Sequence, residues 1–125
     1  MPQPSDRATI RQRLGRRSEQ LAAQVLRSRG YRLEATNVRY PVGEIDVVAW
    51  DQDTLCFVEV RSTSSGAWGG PLASLTARKR RRMIRAARWY LHRLRPLPPF
   101  TRFDVVAIEW HDHGDPTVEL VQGAC

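Results

Sequence analysis

Two strand-like segments separated by only three residues constrain the fold of this chain more than any other sequence feature. Residues 44–50 and 54–61 are rich in β-branched and aromatic side chains, which are typical of strands. The connection between them, Asp51-Gln52-Asp53, has the length and polarity of a hairpin loop. The two segments are therefore predicted to pair as antiparallel strands.

Each of these strands carries a carboxylate inside an apolar run, where a charge costs stability. Side chains alternate faces along a strand, so Glu59 and Arg61 point the same way, and the hairpin brings Asp46 alongside them. Glu44 shares the face of Asp46 and is either a secondary ligand or a charge at the strand end. This pattern predicts two carboxylates beside a fixed positive charge.

Such a group of side chains suits a hard divalent cation, Mg²⁺ or Mn²⁺, which prefers carboxylate, water and phosphate oxygens. A metal there lowers the pKa of a bound water and neutralises charge on a scissile phosphate, and a neighbouring cation stabilises the charge that develops. The alternative is structural, with the strand carboxylates paired to Arg61 or Arg102.

The composition is that of one globular domain. The chain has 125 residues, with 42% apolar and 26% charged side chains. Its apolar stretches fall far short of the roughly 18 residues of a membrane span, and its first residues lack the apolar segment of a secretory signal. We expect a cytoplasmic protein without membrane contact, divided into a flexible N-terminus (1–6), a single domain (7–121) and a C-terminal tail (122–125). Cys56 and Cys125 suggest no disulfide framework.

The formal net charge of +7 is concentrated in one segment. No acidic residue occurs between Glu59 and Asp104, and residues 76–95 contain nine cations, which exceed the net charge of the whole chain. A concentrated basic patch is typical of nucleic-acid binding, whereas a solvated helix face is the alternative. Lys79 is the only lysine of the chain.

The basic segment has helical periodicity over residues 76–94, with Thr76 as a plausible cap. Apolar side chains gather on one side of this helix and arginines on the other. Trp89 lies on the arginine side, where it either stacks on a base or covers arginine stems. The predicted nucleic-acid-binding residues are Arg78, Lys79, Arg81, Arg82, Arg85 and Arg88.

The other segments complete an alternating pattern. Residues 7–29 have the apolar stripe of a helix that ends at Gly30, with Glu19 at the rim of the stripe, facing the sheet edge. Strands are predicted over residues 31–37, 102–110 and 117–121. Residues 62–75 are predicted to form a mobile loop beside the Glu59 strand. The order is helix, three strands, helix, and one or two strands.

Two further sequence patterns bear on metal and phosphate binding. The His111-Asp112-His113 run resembles a transition-metal cluster, but alternating polar residues before a proline are more often an exposed turn. No Gly-rich phosphate-binding loop is present in the sequence.

Several short motifs together resemble the YraN-like family of small bacterial proteins, over about residues 15–108. That family is similar to Holliday-junction resolvases and belongs with the restriction-endonuclease-like nucleases. The resemblance implies an α/β fold with an αβββαβ core, a central mixed sheet flanked by helices. The motifs are Gly15-Arg16-Arg17-Ser18-Glu19, Gly30-Tyr31, Gly43-Glu44-Ile45-Asp46, Phe57-Val58-Glu59-Val60-Arg61, Lys79 and Arg102-Phe103-Asp104-Val105-Val106.

The resemblance also implies roles for single residues. Asp46 and Glu59 match metal-binding positions, and Glu19 matches a glutamate of the first helix that points toward the site. Arg61 stands where the family's Glu-x-Lys motif has lysine. The difference matters because lysine can lose its proton and act as a base, whereas arginine stays protonated.

Two main functions follow from these observations. The first is a metal-dependent endonuclease that acts on DNA, with branched DNA implied by the likeness to resolvases, which work as homodimers. The second is a non-catalytic nucleic-acid-binding protein that keeps the fold but has lost cleavage, in accord with Arg61. A protein-interaction domain with a basic face is a third alternative.

Overall fold

The computed structural model describes residues 9–66 and 69–124. Two helices and five strands follow one another in the predicted order, with a short 3-10 helix before the second α-helix. The predicted α/β fold with an αβββαβ core is confirmed, and the strand predicted over residues 117–121 follows this core. The elements are α1 (Ile10–Ser28), β1 (Arg32–Tyr40), β2 (Gly43–Asp51), β3 (Thr54–Ser64), the 3-10 helix (Pro71–Ser74), α2 (Ala77–His92), β4 (Phe100–Trp110) and β5 (Thr117–Val121).

Side-chain caps fix where both α-helices begin. Thr9 accepts a hydrogen bond from the backbone N–H of Gln12, whose side chain accepts one from the Thr9 N–H, so α1 starts with a capping box. Thr76 caps α2 as predicted, because its hydroxyl accepts from the Lys79 backbone N–H at 3.2 Å. The start predicted for the first helix, residue 7, lies outside the described residues.

The five strands form one mixed sheet in the order β1-β2-β3-β4-β5. Strands β1, β2 and β3 are antiparallel neighbours, β4 runs parallel to β3, and β5 is antiparallel to β4. A parallel neighbour requires a crossover connection, which α2 provides between β3 and β4.

The two helices cover opposite faces of the sheet. Ala22 and Leu26 of α1 pack in one buried cluster with Val58 of β3. Met83 and Ala87 of α2 pack in a second cluster, which also contains Ile45, Val48 and Phe57. Because each helix buries one apolar stripe, its polar side faces outward, which leaves the arginines of α2 in solvent.

Strand β2 is irregular at Asp46. Ile45 packs in the cluster beneath α2, whereas Val47 packs in the cluster beneath α1, although regular alternation would place both on one face. Opposite Asp46 on β1, Asn37 has a positive φ of 52°, and the two residues are skipped in the ladder between Thr36–Val47 and Val38–Ile45. The distortion explains how a carboxylate can leave the packed faces of the sheet at this point.

The segment over residues 62–75 is more ordered than the predicted loop. Strand β3 continues to Ser64, and the 3-10 helix occupies Pro71–Ser74. The predicted loop was therefore wrong at both ends. At the first end, pairing with β4 extends β3 to the Ser64–Trp110 pair, and at the second end the chain forms the 3-10 helix. Trp68, predicted to lie in this loop, is outside the described residues. No helix in the described part of the chain is long and apolar enough to cross a membrane.

Candidate functional site

The site is built at a fork in the sheet. Strands β2 and β3 pair from Asp51–Thr54 as far as Val47–Val58 and then separate, since β2 stays with β1 and β3 stays with β4. The next residue on β2 is Asp46, and the next on β3 is Glu59. The pairing register therefore places Asp46 alongside Glu59, as the sequence predicted.

The Asp46 carboxylate bridges this fork. Its Oδ2 atom accepts a hydrogen bond from the backbone N–H of Val60 at 2.8 Å. The bond replaces the lost backbone ladder and fixes the carboxylate next to Glu59, while using only one of the two oxygens of Asp46. The Glu59 side chain is only 13% exposed. Two largely covered carboxylates are thereby held by strands rather than by a loop.

A cavity of about 160 Å³ opens at the fork. It brings α1 to the two carboxylates, because Glu19 lines it together with Asp46 and Glu59. Glu19 therefore lies beside the two carboxylates, but at the fork between the inner strands β2 and β3 and not at an edge of the sheet. The remaining lining residues are Gly15, Ser18, Glu44, Val60, Arg61 and Ser62.

Arg61 is held from two sides. Its Nε donates to the Ser74 hydroxyl at 2.8 Å, and its Nη1 lies 3.4 Å from Glu59 Oε1. Ser74 in turn donates to the Pro71 carbonyl at 2.6 Å, which anchors the contact in the 3-10 helix. The Arg61 side chain is 21% exposed, so its positive charge is held beside Glu59 and is mostly covered.

Burial and neighbouring negative charges raise the pKa of both carboxylates. Burial, followed by the Asp46 charge, raises the pKa of Glu59 from 4.5 to about 8, against the opposing effect of Arg61. Burial also raises the pKa of Asp46, with contributions from the charges of Glu19 and Glu44. Two such carboxylates at one position favour a bound cation or a retained proton.

The donor set fits a hard divalent cation that keeps open positions. Asp46 and Glu59 offer only oxygen atoms, which suit Mg²⁺ or Mn²⁺ better than a transition metal that prefers nitrogen or sulfur. Within residues 9–66 and 69–124, no three His, Cys, Asp or Glu side chains are grouped closely enough to hold an ion by themselves. Such an ion needs further oxygens from water, backbone or phosphate, as is usual for Mg²⁺.

Only part of the predicted basic surface lies at the carboxylates. Lys79 and Arg82 line a small cavity of about 80 Å³ together with Glu44, Glu59 and Arg61. The Lys79 Nζ donates to the Ser74 carbonyl at 3.4 Å, so it stands next to the group that holds Arg61. The other predicted nucleic-acid-binding residues are exposed along α2: Arg78, Arg81, Arg85 and Arg88.

The sequence reasoning missed two serines of the site. Ser74 positions Arg61, and nothing in the Ser- and Gly-rich stretch around it indicated that contact. Ser18 is 2% exposed and accepts a hydrogen bond from the Trp110 indole at 2.9 Å. Its place on the apolar stripe of α1 was a usable signal, because a buried hydroxyl requires a partner.

Asp104, by contrast, is a fully buried carboxylate, with no exposed surface. It accepts from Tyr31 Oη at 2.7 Å, Arg102 Nε at 2.8 Å and the Gly123 N–H at 3.0 Å. Burial opposes its ionisation, yet these hydrogen bonds hold the pKa of Asp104 below its ordinary value. Arg102 is therefore the structural partner of Asp104, whereas the structural pairing considered for Glu59 is made with Arg61, at 3.4 Å.

The His111-Asp112-His113 turn does not form a metal cluster with other described residues. Both ring nitrogens of His111 are occupied by hydroxyls, at 3.1 Å from Ser65 Oγ and 2.7 Å from Thr117 Oγ1. The interpretation of this run as a structural turn fits these contacts.

The chain matches a known protein family. The sequence model of UPF0102, described as an uncharacterised protein family, matches residues 18–108, which include Glu19, Asp46, Glu59, Arg61 and all of α2. A UPF0102 protein of Desulfosudis oleivorans is 42% identical over 114 residues, covering 91% of this chain and 90% of the relative. A UPF0102 protein of Symbiobacterium thermophilum is 45% identical over 112 residues, covering 90% and 95%. The predicted YraN-like resemblance is confirmed, and the chain belongs to the UPF0102 family.

Proposed function

We propose that this protein is a divalent-metal-dependent endonuclease that cleaves DNA phosphodiesters in the cytoplasm. One observation carries the proposal: Asp46 and Glu59 meet at the fork of the sheet, in one cavity with Glu19. Arg61 stands next to Glu59, and the basic face of α2 continues from the same place. Oxygen ligands, a fixed cation and a phosphate-binding surface are what phosphodiester hydrolysis requires.

Asp46 and Glu59 are the residues that would hold Mg²⁺ or Mn²⁺. When bound there, the ion supplies Lewis-acid stabilisation and lowers the pKa of a water. Before it binds, the two carboxylates repel each other, so the site favours a cation over an empty state at pH values where both are ionised.

The remaining residues have separate roles in the proposal. Arg61 cannot act as a base because its guanidinium stays protonated, so it stabilises charge on a phosphate oxygen. Glu19 orients the attacking water and accepts its proton. The exposed arginines of α2 bind backbone phosphates without reading bases, which suits recognition by shape.

A cleavage assay on duplex, flapped and branched DNA with Mg²⁺ or Mn²⁺ tests the proposal. Wild-type protein is expected to cleave, Glu59→Gln to fall to background, and the exposed β5 variant Glu119→Gln to match wild type. Undiminished cleavage by Glu59→Gln would contradict the assigned site and identify a contaminant. A homodimer, which would present two sites to a branched substrate, is checked by light scattering with and without DNA.

The second candidate is a nucleic-acid-binding protein without cleavage. Arg61 favours it, because the guanidinium that replaces lysine is bonded to both Glu59 and Ser74 and partly neutralises a metal ligand. This candidate predicts DNA binding without cleavage by the wild type, with activity appearing in Arg61→Lys. The same assay therefore separates the two functions.

A further inference from the structure

Trp89 is an exposed aromatic side chain on the basic helix α2. It is 41% exposed, whereas Met83, Ala86 and Ala87 of the same helix are buried. The Trp89 ring packs against the ring of Tyr40, with a centroid distance of 5.4 Å and an interplanar angle of 45°. The indole is therefore held by an aromatic contact, while much of its surface remains in solvent.

Two arginines lie beside this indole. An open cavity beside Trp89 is lined by Arg88, His92 and Arg93. The guanidinium of Arg93 lies 5.7 Å from the centroid of the Tyr40 ring, which holds it next to the aromatic pair. The ion pairs of the described residues involve Arg39, Arg61 and Arg102, all outside α2. An aromatic surface among cations is complementary to a base and its phosphates.

Trp89 also lies on the same face of α2 as the arginine that lines the carboxylate cavity. A helix turns 100° per residue, so Arg78, Arg82, Arg85 and Trp89 fall within about 60° of one another around α2. Arg82 lines the cavity of Glu59 and Arg61. Trp89 follows seven residues later, which is about 10 Å along the axis at 1.5 Å per residue. The stripe therefore leads from the carboxylates to the indole.

We propose that α2 binds a single strand of nucleic acid and stacks one unpaired base on Trp89. A stacked strand advances about 3.4 Å per nucleotide, so this base lies about three nucleotides from the phosphate at the carboxylates. A base inside a duplex is covered on both faces by its neighbours, so a flap or a single-stranded end is what supplies an unpaired base. The position relative to cleavage rests on the proposed nuclease function, whereas the stacking itself does not.

Binding measured without metal tests the stacking independently of cleavage. Fluorescence anisotropy in EDTA compares a labelled oligothymidylate with a blunt duplex of equal length. Trp89→Leu keeps the apolar bulk but removes the π-face, and it is expected to weaken single-strand binding roughly 5- to 150-fold. Trp89→Phe retains stacking and should bind within a few-fold of wild type. Phe100→Ala removes a 60% exposed aromatic ring elsewhere and should change nothing.

The outcomes distinguish this proposal from the nuclease proposal. Wild-type affinity in Trp89→Leu, or an equal loss for single strand and duplex, overturns the stacking. Removing one thymine base from the oligonucleotide at the stacking position should weaken wild type but leave Trp89→Leu unaffected. If single-strand binding depends on Trp89 while no substrate is cleaved, the stacking holds and the nuclease proposal fails. If DNA is cleaved but Trp89→Leu binds the single strand as tightly as wild type, the nuclease proposal holds and the stacking fails.

Discussion

The Asp46 carboxylate accepts a hydrogen bond from the Val60 backbone at 2.8 Å, across the gap where two strands of the sheet separate. The bond does two things at once. It satisfies a backbone N–H that has lost its ladder partner, and it fixes an acidic side chain beside Glu59. The separation of β2 and β3 therefore also determines how the carboxylates of the candidate site are oriented.

The first prediction concerns pH and metal. Glu59 has a folded pKa of about 8 against an ordinary 4.5, so the folded protein without metal holds the proton more tightly than the unfolded chain. Stability is then greatest on the acid side of this window and falls as pH rises from about 4.5 to 8. Mg²⁺ binds the ionised pair, so it should raise Tm more at pH 8.5 than at pH 5.5.

Thermal unfolding of Glu59→Gln provides the control for that prediction. The variant keeps the side-chain shape but removes the charge, so it should lose both the decline of Tm with pH and most of the Mg²⁺-dependent increase. An increase in Tm with Mg²⁺ that is the same in Glu59→Gln and wild type would place the ion elsewhere.

The second prediction concerns the cation at position 61. Arg61 uses Nε for Ser74 and Nη1 for Glu59, whereas a lysine has a single nitrogen and cannot make both contacts. Arg61→Lys should therefore lower the free energy of unfolding by about 1 kcal/mol, as for one lost hydrogen bond. It keeps the positive charge, so single-turnover cleavage should stay closer to wild type than in Arg61→Met. Equal rates in the two variants would show that the charge is not used.

How far the sequence predicts this site depends on how local each contact is. The hairpin and the two carboxylates are encoded within about fifteen residues, so the pairing expected of a hairpin was enough to bring Asp46 alongside Glu59. The contact between Arg61 and Ser74 spans a loop whose path depends on packing against β4, and no pattern indicated it. The irregularity at Asp46 depends on the positive φ of Asn37 in the neighbouring strand, which composition does not reveal.

The third prediction separates Lys79 from its neighbours on α2. Lys79 lines the cavity with Glu59 and Arg61, whereas Arg80 is exposed and is not among the residues that line it. Lys79→Met removes one charge of the predicted nucleic-acid-binding residues, so it should reduce the salt dependence of DNA binding by about one phosphate contact, whereas Arg80 is not one of those residues. Only Lys79→Met should also slow single-turnover cleavage, by roughly 100-fold, because its ammonium lies where charge develops. If Arg80→Met slowed cleavage to a similar extent, Lys79 would have no role in cleavage beyond that of any other positive charge on α2.

The fourth prediction concerns the contact between β2 and α2. A Cβ atom at Gly43 would lie 2.2 Å from the Arg82 carbonyl oxygen, so the strand and the helix touch through their backbones. Gly43→Ala must push α2 away from the sheet and should destabilise the protein by about 1–3 kcal/mol or more. Gly15→Ala is the matched control, because a Cβ there meets nothing within 4 Å and alanine favours the helix. Unfolding midpoints in urea should shift in opposite directions for the two variants.

The fifth prediction concerns the buried network around Asp104. Arg102 and Tyr31 donate to this carboxylate, and Arg102 also reaches Asp51 at 2.8 Å, so the network joins the end of α1 to strands β2 and β4. Asp104→Asn leaves the Arg102 charge without its main partner and should destabilise the protein by about 3–5 kcal/mol.

The exposed turn variant Asp53→Asn is the control for Asp104, and it should change the free energy of unfolding by less than about 0.5 kcal/mol. The folded pKa of Asp104 lies below its ordinary 3.8, so its contribution is present above that pH and is lost as pH falls further. Wild type should therefore lose stability on acidification below about pH 4 more steeply than Asp104→Asn does. Urea unfolding from pH 2.5 to 6 measures this, and parallel curves for the two proteins would mean that Asp104 is held by shape rather than by charge.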